Sequence, residues 1–474
     1  MIKKVTSILI LIFILSSSFI MAESNLQSVV SAPTMVGTKD DSLIYPYGMA
    51  YSKSLDALIF TDTQNHRINI LNLKSLTIES LVGVNQGLDR FGFPGGGYED
   101  GDIKKAMFNR PKGVAVADNG AIFIVDTGNN AIRQIYQGKV TTVAGGKASG
   151  YKDGKGIEAK FLSPSGIAID KDGNIFISDT LNDVIRKIDP TGNVTTFAGK
   201  KDDKSLLNEP VGLAFDKNGN LFVADGSNHQ IKKISAKDKI EILGGNHSIK
   251  DKESGYWLGG YMDGPKEISY FNFPKGITLK DDGTIFVADS YNHTIRRISD
   301  TDVATLVGAG ISGSKLDDDH IIYLDGPMGV LYAKETLFIG DYWNNRIVMI
   351  PDNGKYLDPI LIDVKDREIM VYLDGNPISF PDVQPLILDG TLKFPIRTVV
   401  EALGGQVLWN QEDQKITLIK DKDKVELYLK LGDFFLYKGR SMVGLDLLEK
   451  NLTLDAKWLE KNNILWIQHK LQNN

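Results

Sequence analysis

Apolar and polar positions recur in a fixed frame along most of this chain, and the stretch 164–199 shows it clearly. Pro164-Ser165-Gly166 leads into the apolar run Ile167-Ala168-Ile169, and Lys171-Asp172-Gly173-Asn174 then has the composition of a tight turn. Ile175 to Asp179 is nearly continuous in apolar character, which predicts a strand buried on both faces. Asp179 to Asn182 is a second turn, Val184 to Ile188 a third strand and Asn193 to Gly199 a fourth. Four antiparallel strands per repeat is the pattern of a propeller blade. One feature departs from strict alternation. Apolar residues six and nine positions after the Asp fall on opposite faces, which predicts a bulge or a strand end there.

The frame occurs six times. Asp, then Asn at plus three, Ile at plus six and Ile or Leu at plus nine begin at Asp62, Asp126, Asp179, Asp225, Asp289 and Asp341. Each copy is preceded by Pro-x-Gly, with glycines at 48, 113, 166, 212, 276 and 329. An internal repeat of this kind decides the architecture: mainly β, a six-bladed β-propeller. Fourth strands end in glycine at 83, 145, 199, 244 and 308, and a further copy, Thr34 to Gly37, lies ahead of the first blade. That segment is expected to close the last blade, since an open ring would leave two unpaired strand edges.

The consensus Pro-x-Gly-[Ile/Val/Leu]-Ala, Gly-Asn-[Ile/Leu]-Phe-[Ile/Val]-x-Asp, Asn-x-x-Ile-[Arg/Lys] resembles the NHL-repeat propellers over residues 34–350. The resemblance implies the fold and, for most members, a binding role; only some members are enzymes.

Strand parity carries the reading from fold to site. In an up-and-down blade, the turn between strands two and three shares a face with the connection to the next blade. Those connections are long, from residues 189–209 up to 72–110 and 235–273, where about 4–6 residues would be usual. Long loops on one face of a rigid scaffold are a common place for binding. Their aromatic residues, Tyr98, Tyr151, Trp257 and Tyr261, together with Tyr291, Tyr342 and Trp343 in the turns, are the candidate binding residues. Trp343 is the foremost, being a large ring in a short turn where other blades have small or varied residues such as Gly128 and Ser227. The inserts also carry Asp-Gly steps at Asp100, Asp153, Asp263 and Asp325, which turn formation alone would explain.

Catalytic chemistry is sparse. His66, His229 and His293 all stand at plus four of the repeat, where other copies have Asn130, Asp183 and Asn345. A metal trio would need them to converge from blades one, four and five, so zinc is the minor alternative to a turn role. Asp170 to Asn174 and Asp281 to Gly283 lack the following Glu of a twelve-residue calcium loop. The basic residues Arg133, Arg186-Lys187, Lys232-Lys233 and Arg296-Arg297 are expected to face solvent. Nucleophile-elbow, phosphate-loop and zinc-protease motifs do not occur, and no cofactor is expected.

The ends of the chain add an address and a second domain. Lys3 and Lys4, the apolar run Ile8 to Leu15 and a cut after Ala22 predict a secretory signal peptide over 1–22. The mature chain would then have no transmembrane anchor. Cysteine is absent, which excludes disulfides and thiolate sites. A formal net charge of −6 argues against nucleic acid. The propeller is assigned to 23–350, a linker to 351–367 and a small α+β domain to 368–474. In the last, Pro395 opens a short helix stopped by Gly404, among strands such as Ile369 to Leu373, Lys415 to Ile419 and Ile464 to Ile467.

Asp389-Gly390, Phe394-Pro395-Ile396-Arg397, Glu401 to Gly405 and Val407-x-Trp409 resemble the copper amine oxidase N-terminal-like domain of exported bacterial proteins. The resemblance implies a stalk or adhesion unit. It carries no copper chemistry, because the domain's one histidine is His469. The resulting expectation is an exported, non-enzymatic protein, secreted or associated with the cell envelope, whose C-terminal domain serves either cell-wall association or as a spacer. Its propeller face would recognise a protein, peptide or glycan; the alternative is a metal-dependent lyase or lactonase-type hydrolase.

Overall fold

Blade two shows in the computed structural model how the repeat becomes structure. Its strands Pro111–Val116, Ile122–Asp126, Ala131–Tyr136 and Lys139–Gly145 pair antiparallel in sequence order. The other five repeats form corresponding sheets, the sixth with three strands (Pro327–Ala333, Thr336–Asp341, Arg346–Pro351) among the described residues. The structure describes residues 45–88, 94–235, 239–245, 257–313, 322–352 and most of 370–469. The signal peptide and the closing strand Thr34 to Gly37 lie outside them, as does most of the linker. Two compact units are distinguished: residues up to Leu243, Phe273–Asp300 and Thr305–Pro359 in one, Gly244–Asn272, Thr301–Ala304 and Ile360–Asn474 in the other.

Ring closure is visible in the innermost strands. Each blade's first strand neighbours the first strands of the two flanking blades, and that of blade six neighbours that of blade one. The Pro-x-Gly glycine is what allows this approach. A Cβ on Gly48 would lie 2.2 Å from the carbonyl oxygen of Lys112, and on Gly166 1.8 Å from that of Val211. The same relation runs from Gly113 to Ser165, Gly212 to Lys275, Gly276 to Met328 and Gly329 back to Tyr47. Six glycines thus each make room for the carbonyl of the next blade's x residue, round a complete circle.

The plus-six and plus-nine residues have separate destinations. Ile132 packs with blade three, among Phe161, Ile167 and Ile177, whereas Ile135 packs with blade one, among Ile59 and Ile68. Ile185 and Ile188 divide in the same way. Leu71 and Ile347 meet in one cluster with Phe60 and Phe338, so blades one and six pack directly. A bulge does occur beside these residues, at the step from Ile132 to Arg133, with the extra residue on the fourth strand. Broken alternation therefore reflects burial on both faces, each blade being sandwiched between two others.

The C-terminal segment is α+β. Helix Ile396–Ala402, capped by Pro395, packs Ile396, Val399 and Val400 into a core with Phe394, Val407 and Val443. The last strand, Ile464–His469, pairs parallel with Met370–Leu373, tying the end of the domain to its beginning.

Candidate functional site

Each repeat Asp is fully buried at the end of the second strand. It accepts the side-chain amide of the Asn at plus three, at 2.8 Å from Asn129 to Asp126 and from Asn182 to Asp179. It also accepts a backbone N–H from the preceding insert, 2.7 Å from Asn109 to Asp126. Its charge is met by a cation. Arg133, Arg186, Lys232 and Arg296 at plus seven lie 2.6–2.8 Å from Asp126, Asp179, Asp225 and Asp289. In blades one and six an Arg at plus five, Arg67 or Arg346, takes over. These cations do not face solvent as expected: Arg133, Arg186 and Arg296 are fully buried and Lys232 is 2% exposed. A carboxylate sealed between blades needs a counter-charge in reach, and that overrides the surface preference of Arg and Lys. Burial still pushes Asp126 up to about 6 against the pull of Arg133.

The inserts use the same cations as anchors. Arg133 donates to Asp100 and to the carbonyls of Glu99 and Met107; Arg186 donates to Asp153 and to the carbonyls of Lys152 and Lys160. Tyr98 lies over the Arg133 guanidinium at 4.7 Å and Tyr151 over that of Arg186 at 5.2 Å, with Phe108 and Phe161 also against the two groups. The Asp of these Asp-Gly steps therefore clamps its insert. Asn129 and Asn182 further donate to Gly97 and Gly150 of the inserts, which sets inserts and turns side by side, as strand parity required.

The plus-four residue has a distinct task. His66, Asn130, Asp183, His229 and His293 all adopt left-handed backbone. Each accepts the backbone N–H of the residue before the next blade's Pro: Arg110, Ser163, Glu209, Phe273 and Gly326 respectively. His, Asn and Asp share a short side chain with an acceptor at the right reach, which explains their interchange. The imidazole Nδ1 atoms of His66, His229 and His293 are thus engaged in joining blades. Among the described residues, no three His, Asp or Glu side chains gather in metal-binding proximity. Thr63, Thr127, Thr180 and Ser290 add a second latch, their hydroxyls donating to the next blade's Pro carbonyl.

The candidate aromatic residues separate by burial. Trp343 is 55% and Tyr291 57% exposed, Tyr151 is partly exposed, and Tyr98 is half-buried. Tyr342 is buried: its hydroxyl accepts from Gln64, and its ring sits near Tyr45, Tyr47 and Trp343. Trp257 and Tyr261 are half-buried and belong to the other compact unit.

Residues that the repeat reading passed over stand at the mouth of the central channel. The x position of Pro-x-Gly opens the innermost strand, at a bulge in five of the blades, a device that re-aims a side chain. Its occupants are Tyr47, Lys112, Ser165, Val211, Lys275 and Met328. Lys112 and Lys275 come from blades two and five, opposite one another in a ring of six. The Lys112 ammonium lies 5.4 Å from the Tyr47 ring centroid, and that of Lys275 5.3 Å from the Phe273 ring. Burial, and then the Lys112 charge, pushes Lys275 down to about 8, with Glu209 opposing. Lys112 is lowered by burial and by Arg110, again opposed by Glu209. Burial and the neighbouring Tyr342 raise Tyr47. A superposition of the six repeats would have exposed the two lysines as the variable position of a fixed motif.

With this geometry the chain can be set beside known proteins. The NHL repeat model matches residues 108–135, 207–234 and 271–298, the teneurin NHL domain model 148–206, and the copper amine oxidase N-terminal domain model 372–467. The chain carries NHL repeats and a copper amine oxidase N-terminal domain. NHL repeat-containing protein 2 of Gallus gallus is 29% identical over 398 residues, 72% of this chain and 52% of that protein. The Homo sapiens protein of that name is 34% identical over 332 residues, 66% of this chain and 39% of that protein. The chain thus spans about half or less of these NHL relatives. An auxiliary nutrient binding protein from Bacteroides thetaiotaomicron VPI-5482 aligns at 15% identity and a TM-score of 0.49, over 66% of this chain and 71% of that one. A protein described as a putative gluconolactonase aligns at 14% identity and 0.42, over 66% and 90%. Both scores lie below 0.5, and the architecture above rests on the chain's own sheets.

Proposed function

We propose that this NHL-repeat propeller is an extracytoplasmic, non-enzymatic binding protein whose insert-bearing face recognises a protein, peptide or glycan, with the C-terminal domain as its stalk. One observation carries the reading. On that face the repeat carboxylates and histidines are occupied in holding blades and inserts, while Trp343 and Tyr291 stand out into solvent. Exposed rings on a rigid face bring contact area at low entropy cost and are enriched at binding hot spots. The leader-like N-terminus supports export, and no helix among the described residues is long and apolar enough to cross a membrane.

Glycan and peptide arrays with the purified protein test the reading. Trp343→Ala should weaken the captured interaction by about 2 kcal/mol or more with little change in melting temperature. A large loss of stability instead would make Trp343 a packing residue against Gly326 and Tyr342. The rival, a metal-dependent lyase or lactonase-type hydrolase, requires a resident ion; stoichiometric metal in the purified protein would favour it.

A further inference from the structure

We propose that Lys112 and Lys275, set on opposite blades at the channel mouth and without an ion pair among the described residues, form a receptor for an oxyanion, a carboxylate or phosphate group, carried by the ligand of the insert-bearing face. The inference deepens the binding reading above by naming the chemistry its ligand must present.

The contrast with the rest of the propeller makes the case. Arg133, Arg186, Lys232 and Arg296 are each within 2.8 Å of a buried Asp. Lys112 and Lys275 make no ion pair or hydrogen bond among the described residues, although both are half-buried. Glu209 is the carboxylate whose charge reaches both, and its Oε2 accepts the Ser227 hydroxyl at 2.8 Å. Arg110, exposed one step before Pro111, adds a third positive charge. In a chain of formal net charge −6, Lys112 thus has Arg110 and Lys275 as positive neighbours, with Glu209 the opposing carboxylate among the described residues.

Holding two like charges together in a half-desolvated place opposes folding, so the arrangement calls for an anion from outside. Tyr47 and Phe273 flank the ammonium groups with apolar walls, which strengthens any charge interaction between them. Lysine is a compact, rotatable point charge, and so accepts carboxylate and phosphate alike, where a guanidinium fork would favour a planar, bidentate partner.

Calorimetric titration of the full chain with citrate and with inorganic phosphate tests this. Both anions should bind near neutral pH. Lys275→Met and Lys112→Met should each weaken binding about thirtyfold or more, the scale for truncating one partner of a buried charge pair. Citrate, whose own charge is constant from neutral pH upward, should bind progressively more weakly as pH rises through about 8, where Lys275 loses its proton. Below that point Lys275 is charged already; near it, binding should draw a proton from the buffer, an uptake absent in Lys275→Met. Should Lys275→Met fail to fold, the Lys112→Met affinity and the wild-type proton uptake decide. Absence of binding at about 10 mM of both anions, a Kd about tenfold weaker than 1 mM, would overturn the proposal, as would wild-type affinity in both variants. An array hit on neutral ligands alone, lost in Trp343→Ala, would sink the oxyanion and leave the binding role standing. Anion binding without any array hit would do the reverse.

Discussion

Cations are kept from water in two regions of this propeller, under opposite conditions. Between blades, Arg133 reaches Asp126, Asp100 and two backbone carbonyls, so its donors are matched and its charge is balanced. At the channel mouth, Lys275 has an aromatic neighbour, a second lysine on the opposite blade and, among the described residues, no carboxylate in bonding distance. The first arrangement is repeated in every blade with small changes; the second occurs at one position of the motif in two opposite blades. Repetition and full pairing are what a structural joint requires. An unmatched charge in a single place opposes folding and has to be explained by something the protein meets.

The sharpest way to break that contrast is to remove a paired cation. Arg133→Met would leave Asp126 buried without its counter-charge and release the 94–110 insert, and should cost about 3–5 kcal/mol, read from chemical denaturation. Unchanged stability would mean that the inter-blade pairs are dispensable and that pairing says nothing about role.

A smaller effect is expected at the ring of glycines. Gly166→Ala would drive a methyl group against the Val211 carbonyl, which lies 1.8 Å from where it would stand and already accepts the Ser178 hydroxyl. Overpacking of this kind should cost about 1–3 kcal/mol, with the same measurement as check. A neutral result would show that blades three and four can part without penalty.

The smallest effect should carry the opposite sign. Lys275 titrates near 8 in the folded protein, against about 10.4 in an unfolded chain. Between those values the unfolded state binds more protons, so Lys275 makes stability rise as pH increases from about 8 to about 10. Lys275→Met should remove that rise and raise the melting temperature slightly below pH 8. Lower stability in Lys275→Met at neutral pH would place the lysine with the structural cations and end the comparison.

Sequence periodicity reached far into the fold because it is written by local rules. Alternation and turn composition located the strands, and six copies of one frame set the number of blades. The helix after Pro395 and the strand at Ile464 were equally legible from local signals. The candidate site was less so. Trp343 and Tyr291 could be placed on the insert side by parity, yet Tyr342, next to Trp343, turned inward, because Gln64 and the Tyr45 and Tyr47 rings of blade one hold it from across the ring closure. Arg133 and Arg186 read as surface residues because charge in a strand usually points to water. Each pairs with a buried Asp seven residues back, Asp126 or Asp179, and its second carboxylate, Asp100 or Asp153, is 33 residues away in an insert without periodicity.

By itself, then, the sequence determined a chain of six β repeats, the residue types at each turn and the α+β character of the last hundred residues. These depend on hydrogen bonding and side-chain direction within a few positions of each residue. Only the tertiary structure decided that Ile132 and Ile135 serve different blade interfaces, and that the glycine of Pro-x-Gly faces a carbonyl of the next blade. It alone gave three histidines to inter-blade backbone bonds and set Lys112 against Lys275. Each of those outcomes depends on bending the repeats into a closed ring, which brings residues together by their angle around an axis rather than by their distance along the chain.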